Sequence, residues 1–195
     1  MRTIIFILLI GSTISCAAQK KIASLNDNTI VNVAKTKYSV TIKYDKVMLQ
    51  NTLNKLNNVK QFSPNLSPNI RLLEPPYGRL VLAQLTKICA DIITINQLKE
   101  LKKIDNSSLF ISIKTDLNGK PKELYFYTMA NSILTINQLE EIEKEIMKSF
   151  SITIKAYNAP FIKGSNFLTF DFNIYFENVI KLKQKNKTIK LNFPI

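Results

Sequence analysis

Histidine does not occur anywhere in the 195 residues. That absence removes Ser-His and Cys-His dyads, histidine general bases and the commonest metal ligand together. Cysteine occurs only at Cys16 and Cys89, which leaves no thiolate zinc site and, with Cys16 in the leader segment, no internal disulfide. Cys89 lies in the apolar run LTKICADII and reads as a buried, inert thiol. Glycine totals 4, too few for a glycine-rich phosphate loop. Beyond the N-terminus no stretch approaches the roughly 20 apolar residues of a membrane-spanning helix. No metal and no cofactor is expected.

What is present begins with an export signal over residues 1–18. Arg2 supplies a positive n-region, IIFILLI from Ile4 to Ile10 is an apolar core too short to span a bilayer, and the small residues of GSTISCAA follow. Two processing routes stay open. Cys16-Ala17-Ala18 before Gln19 has the small-x-small form of ordinary signal-peptidase cleavage. Ile14-Ser15-Cys16 is similar to a lipoprotein box with Cys16 as the acylated residue, although Thr13 stands where such boxes usually carry an aliphatic side chain. By either route the protein is expected outside the cytoplasm, periplasmic or secreted, with an outer-membrane lipoprotein as the alternative.

The chain is long enough to bury a real core, and its 46% apolar and 21% charged residues are those of a globular protein. An excess of 27 Lys+Arg over 14 Asp+Glu, a formal charge of +13, favours anionic partners such as lipid headgroups or acidic polysaccharide. A compositional skew to Ile, Lys and Asn produces the same excess, so charge alone does not choose the partner.

Periodicity divides the remainder into an N-terminal segment, 19–78, and a larger one, 79–195. Gln19 to Asp27 reads as a short polar tether. Strands are expected from Thr29 to Val33 and from Tyr38 to Tyr44, as a hairpin, followed by a helix from Asp45 to Leu56 with Met48, Leu49, Leu53 and Leu56 at helical spacing. Prolines and asparagines from Asn57 to Gly78 make a long connector. Arg79 to Ile93 is expected as a buried helix. Thr94-Ile95-Asn96-Gln97 is a capping box that opens a second helix.

The best-patterned stretch is Leu109 to Phe176. Leu109, Ile111 and Ile113 alternate as a strand, and Asn118-Gly119 signals a tight hairpin turn with positive φ at both positions. Leu124 and Phe126 then point inward. A second capping box, Thr135-Ile136-Asn137-Gln138, opens a helix with Leu139, Ile142, Ile146 and Phe150 as its apolar stripe. Strands are expected again at Ile152 to Ala156 and from Leu168 to Phe176, with a hairpin over Val179 to Phe193. Shifting the chain by 41 positions aligns Thr94–Lys114 with Thr135–Lys155 at 11 of 21 identical positions, which suggests an α-β-β unit used twice. The expected fold is α+β, two-layered, with a mainly antiparallel sheet and helices on one face.

Carboxylates remain as possible catalysts. Glu140, Glu141, Glu143 and Glu145 cluster on the expected helix but lie off its apolar stripe, so they read as a solvated face with Glu140 paired to Lys144. The best candidate surface is aromatic. Tyr125, Tyr127, Tyr157 and Tyr175 are expected on strand faces opposite the core, the side that an antiparallel sheet often leaves open. The densest basic run, Lys181, Lys183, Lys185, Lys187 and Lys190, offers contacts to an anionic partner, or protects an edge strand from unwanted pairing.

Residues 109–176 resemble the C-terminal domain of TonB-type proteins. The matching pieces are an alternating strand running into Asp116-Leu117-Asn118-Gly119, the helix TINQLEEIEKEIMKSF, and the aromatic last strand FLTFDFNIYF. The Tyr-Pro opening of many such domains is missing, as are a retained membrane anchor and a long proline-rich spacer. The resemblance implies a non-enzymatic envelope module that offers a sheet edge to a protein partner by strand addition. A carboxylate-dependent glycan hydrolase and a basic membrane-surface protein are the alternatives, and nucleic acid is not an expected partner.

Overall fold

The computed structural model describes residues 20–191 apart from 35, 68–69 and 105–106, with side chains described through residue 185. The export signal and Cys16 lie outside the described residues, as do the side chains of Lys187 and Lys190.

Strands β1 (Thr29–Val33), β2 (Thr36–Lys43) and β3 (Lys46–Asn51) come first. Helices α1 (Pro75–Ile92) and α2 (Ile95–Leu101) lead to the hairpin β4 (Ser108–Thr115) and β5 (Pro121–Met129). Then follow α3 (Ile136–Ser149), the single turn α4 (Ala159–Ile162), β6 (Leu168–Tyr175) and α5 (Phe176–Leu191). All six strands form one antiparallel sheet in the order β1-β2-β3-β5-β4-β6, so β3 joins the N-terminal strands to the later hairpin. Among the described residues helices cover one face of the sheet, and the fold is α+β in two layers.

Strand alternation builds the core directly. Leu109, Ile111 and Ile113 of β4, Leu124 and Phe126 of β5, and Leu168, Phe170, Phe172 and Ile174 of β6 are all buried against the helices. Leu139, Ile142 and Ile146 of α3 meet them, with Phe150 just beyond the helix. Both capping boxes form as the sequence indicates. Thr94 and Thr135 accept the N–H groups of Gln97 and Gln138, whose side chains return to the cap backbone.

The β4–β5 turn is longer than a two-residue hairpin. Gly119 N–H donates to the Asp116 carbonyl and Asp116 N–H to the Lys120 carbonyl, each at 3.0 Å. Only Gly119 has positive φ, 78°, while Asp116 Oδ1 accepts the Asn118 and Lys120 N–H groups.

Five expectations are corrected. Residues 46–51 form β3, not a helix. A two-residue turn at Tyr44 and Asp45 folds the chain back on β2, Val47 and Leu49 are buried, and Leu53 is 76% exposed. Helix α1 begins at Pro75, because prolines fit the first helical turn where no N–H partner is needed. Residues 20–24 are no loose tether: Ile22 is buried, and its N–H donates to the Leu134 carbonyl at 2.8 Å. Residues 152–156 form no strand, because Ile152 N–H donates to the Gly119 carbonyl at the hairpin tip, so the second half of the sequence echo departs from the first. The terminal hairpin is replaced by α5, in which Phe176, Val179 and Ile180 bury one helical face.

Candidate binding face

Among the described residues, no helix packs on the centre of the sheet face turned away from the helical layer. Strand register places Met48, Tyr127, Phe110 and Asn173 in one row across β3, β5, β4 and β6, and Gln50, Tyr125, Ser112 and Asp171 in the next. The Phe110 and Tyr127 rings meet edge to face with centroids 5.7 Å apart, and those of Tyr125 and Tyr127 at 5.5 Å. Tyr175 stands at the end of β6, 52% exposed. Three of the four tyrosines expected on this side are therefore on it. Burial and the neighbouring Tyr125 and Asp171 raise the Tyr127 phenol above its ordinary pKa, so it stays a neutral donor at physiological pH.

Polar groups are interleaved with the rings. Ser112 Oγ donates to Asp171 Oδ1 at 2.6 Å. An open groove of about 620 Å³ runs past Phe110, Tyr127, Met129, Asn173 and Tyr175. Beside Tyr125 the face is bounded by the connector, whose Asn57, Asn58, Val59 and Gln61 line a second groove. Glu123 holds that connector by accepting the Lys55 and Leu56 N–H groups at 2.5 and 2.8 Å. Asn166 fastens it further along, through Phe62 and Lys60. The connector thus walls one end of the sheet face, a role invisible in its proline-rich composition.

Tyr157 is elsewhere. It lies in a 3-10 turn, Ala156–Asn158, and donates its hydroxyl to Glu74 at the start of α1. Its expected strand does not form, so it cannot join the other three. The lysines of the C-terminal run lie on α5 rather than on a hairpin edge. Lys181 and Lys185 are exposed one turn apart beside α1, with Lys181 paired to Glu177 at 2.8 Å, and Lys183 is half-buried.

The glutamates of α3 divide. Glu141 is exposed, but Glu140 and Glu143 are buried, contrary to a solvated face. Strands β1–β3 extend the sheet over α3 and widen the arc of the helix that must be covered. Glu140 accepts from Thr36 Oγ1 at 2.6 Å and pairs with Lys144 at 3.1 Å. Glu143 accepts from Tyr38 Oη and from Asn51 Nδ2 at 3.0 Å. Burial raises the Glu143 carboxyl above the ordinary range, against the lowering effect of those hydrogen bonds. Only the helical spacing of Glu140 and Glu143 with Ile136 and Leu139 could have signalled this from sequence. Among the described residues no group of His, Cys, Asp and Glu is arranged to hold a metal ion.

An α+β protein with helices on one side of an antiparallel sheet and an aromatic strip on the other is what this architecture defines. No protein-family model matches the chain, and no curated protein matches it in sequence. Among solved structures it is similar to a DUF5043 family protein from Bacteroides uniformis ATCC 8492, with a TM-score of 0.62 and 18% identity, over 76% of this chain and 91% of that one. The likeness is one of fold.

Proposed function

We propose that this is an exported, non-catalytic binding protein of the bacterial cell envelope that receives its partner on the open face of the sheet. The observation that carries the reading is the strip of Phe110, Tyr125, Tyr127 and Tyr175, which no helix among the described residues covers although the opposite face is packed. Large amphipathic rings with free hydroxyls are the side chains that bind partners at low conformational cost. The glutamates buried under β2 are engaged by Thr36, Lys144, Tyr38 and Asn51, which supports a structural role for them rather than acid-base work.

Strand addition is a second reading, favoured by β6. Among the described residues this eight-residue strand pairs on one side only, with β4, and it carries neither lysine nor proline to discourage further pairing.

Site-specific photocrosslinking in intact cells tests the proposal. A photoreactive residue at Tyr127 or Tyr175 should give a discrete adduct, and one at Met147 on α3 should not. Equal yields from both sides of the molecule would overturn the open-face reading. Crosslinks confined to outward positions of β6, abolished by a proline at Asn173, would select strand addition.

A further inference from the structure

The connector borders one end of the open face along a groove of about 380 Å³, lined among others by Asn57, Lys114, Tyr125, Tyr127 and Phe167. Lys114 is 7% exposed. Its Nζ donates to the Leu56 carbonyl at 2.6 Å and lies 5.0 Å from the Phe167 ring centroid. An ammonium carries three donors, and the Leu56 oxygen takes one. Glu123 is the cross-strand neighbour of Lys114, but its two oxygens accept the Lys55 and Leu56 N–H groups, so it acts on the ammonium as a nearby charge.

Asn57 directly follows the carbonyl that Lys114 holds, and its Nδ2 is buried with no hydrogen-bond partner. A buried donor without an acceptor is costly and rare, so it marks a place where an acceptor belongs. Both residues line the groove, and between them one cationic and one neutral donor have fewer acceptors among the described residues than they can serve. Tyr125 and Tyr127 line the same groove.

We propose that this groove binds the carboxylate of an acidic sugar, a hexuronic acid residue of a polysaccharide, with the carboxylate on Lys114 and Asn57 and the sugar ring against the aromatic wall. The inference rests on the open-face reading and names its ligand class. A monoanion suits the site better than a doubly charged phosphate, because Glu123 already offsets part of the Lys114 charge. A sugar suits it better than a peptide C-terminus. Flat rings meet the C–H face of a pyranose while the amides of Gln50, Asn58 and Gln61 reach hydroxyls, and the aliphatic side chains lining the groove are limited to Met48 and Val59.

Calorimetric titration of the exported chain with trigalacturonate, a neutral galactose trisaccharide, sodium acetate and a short neutral peptide ending in a free carboxylate tests it. Trigalacturonate should bind at least tenfold more tightly than the neutral sugar. Lys114→Met, which keeps the stem against Phe167, should lower that affinity at least tenfold while leaving the far-UV circular dichroism unchanged. Asn57→Asp, which places a carboxylate in the groove itself, should abolish uronate binding and raise the melting temperature, a readout independent of any ligand. Equal binding of charged and neutral sugars, binding of the peptide but not the uronate, no uronate binding at all, or wild-type uronate affinity in Lys114→Met would each overturn the proposal. Tyr175 lies outside this groove, so crosslinks there without uronate binding would reject the uronate site and leave the open-face reading standing.

Discussion

The side chains of Gln97 and Gln138 exchange hydrogen bonds. Gln138 Nε2 donates to Gln97 Oε1 at 2.9 Å, and Gln97 Nε2 donates to Gln138 Oε1 at 3.4 Å. Each glutamine also closes the capping box of its own helix, so the starts of α2 and α3 are latched together by the two residues that the sequence echo makes equivalent. A double-mutant cycle with Gln97→Ala and Gln138→Ala should give a coupling of about 0.5–1 kcal/mol in urea unfolding. Thr135→Ala should cost about 1 kcal/mol as a lost cap. Additive effects of the two glutamine changes would show that the latch contributes nothing of its own.

Gly119 should be irreplaceable. A Cβ there would sit 1.8 Å from the carbonyl oxygen of Ile152, a backbone atom, and φ is 78°. Gly119→Ala should therefore destabilise by about 3 kcal/mol or more, as a change that combines strain with a backbone clash. Gly78→Ala is the control: nothing lies within 4 Å of its Cβ position inside α1, so the change should stabilise by about 0.5–1 kcal/mol. A melting temperature raised in Gly119→Ala, or lowered in Gly78→Ala, would contradict the corresponding statement.

Glu143 should write a pH dependence into stability. Burial raises its pKa, so the folded protein holds this proton more tightly than the unfolded chain does. Its contribution favours the fold below the ordinary carboxylate value of about 4.3 and is lost as pH rises through the higher folded value. Glu143→Gln keeps a side chain able to bond Tyr38 and Asn51 but cannot titrate. The melting temperature of the wild type relative to this variant should fall between about pH 4 and neutrality. A constant difference across that range would refute the assignment.

Cys89 should be silent in the native protein. Burial alone pushes its thiol up to about 12, and its side chain is fully enclosed. A thiol reagent at pH 8 should label it only through unfolding, at a rate that urea accelerates steeply. Rapid labelling without denaturant would place the thiol at an accessible site instead.

The parts of the fold legible in the sequence are those where local chemistry and tertiary packing agree. Thr94 and Thr135 announce their helices because a capping box is satisfied locally, and Leu109 to Ile113 alternates because one sheet face is packed. Residues 46–56 misled because Met48, Leu49, Leu53 and Leu56 fit a helix, while the two-residue turn at Tyr44 and Asp45 and the pairing of Leu49 with Phe126 are decided by neighbours distant in the chain. The segment after Tyr175 misled in the opposite sense. Ile180 and Leu182 look alternate, but Phe176, Val179 and Ile180 share a helix face, and only the site left beside α1 and α2 selects that reading. Of the candidate site, the tyrosines on regular strands could be read from period. The Lys114 groove could not, because one of its walls is an irregular connector.

The stitching of residues 20–24 to the start of α3 sets the length of any leash. The Lys20 carbonyl accepts the Ile136 N–H at 3.2 Å, so the chain is already fastened to the start of α3 at the first described residue. An acyl anchor on Cys16 would have three residues between it and Lys20, a span of at most about 14 Å. Such a protein would ride close on its membrane with its helical layer near the point of attachment, rather than sweep the surrounding space. On the binding reading proposed above, a partner would have to come to the aromatic face, so its local supply, more than the reach of the protein, would govern how often the face is filled.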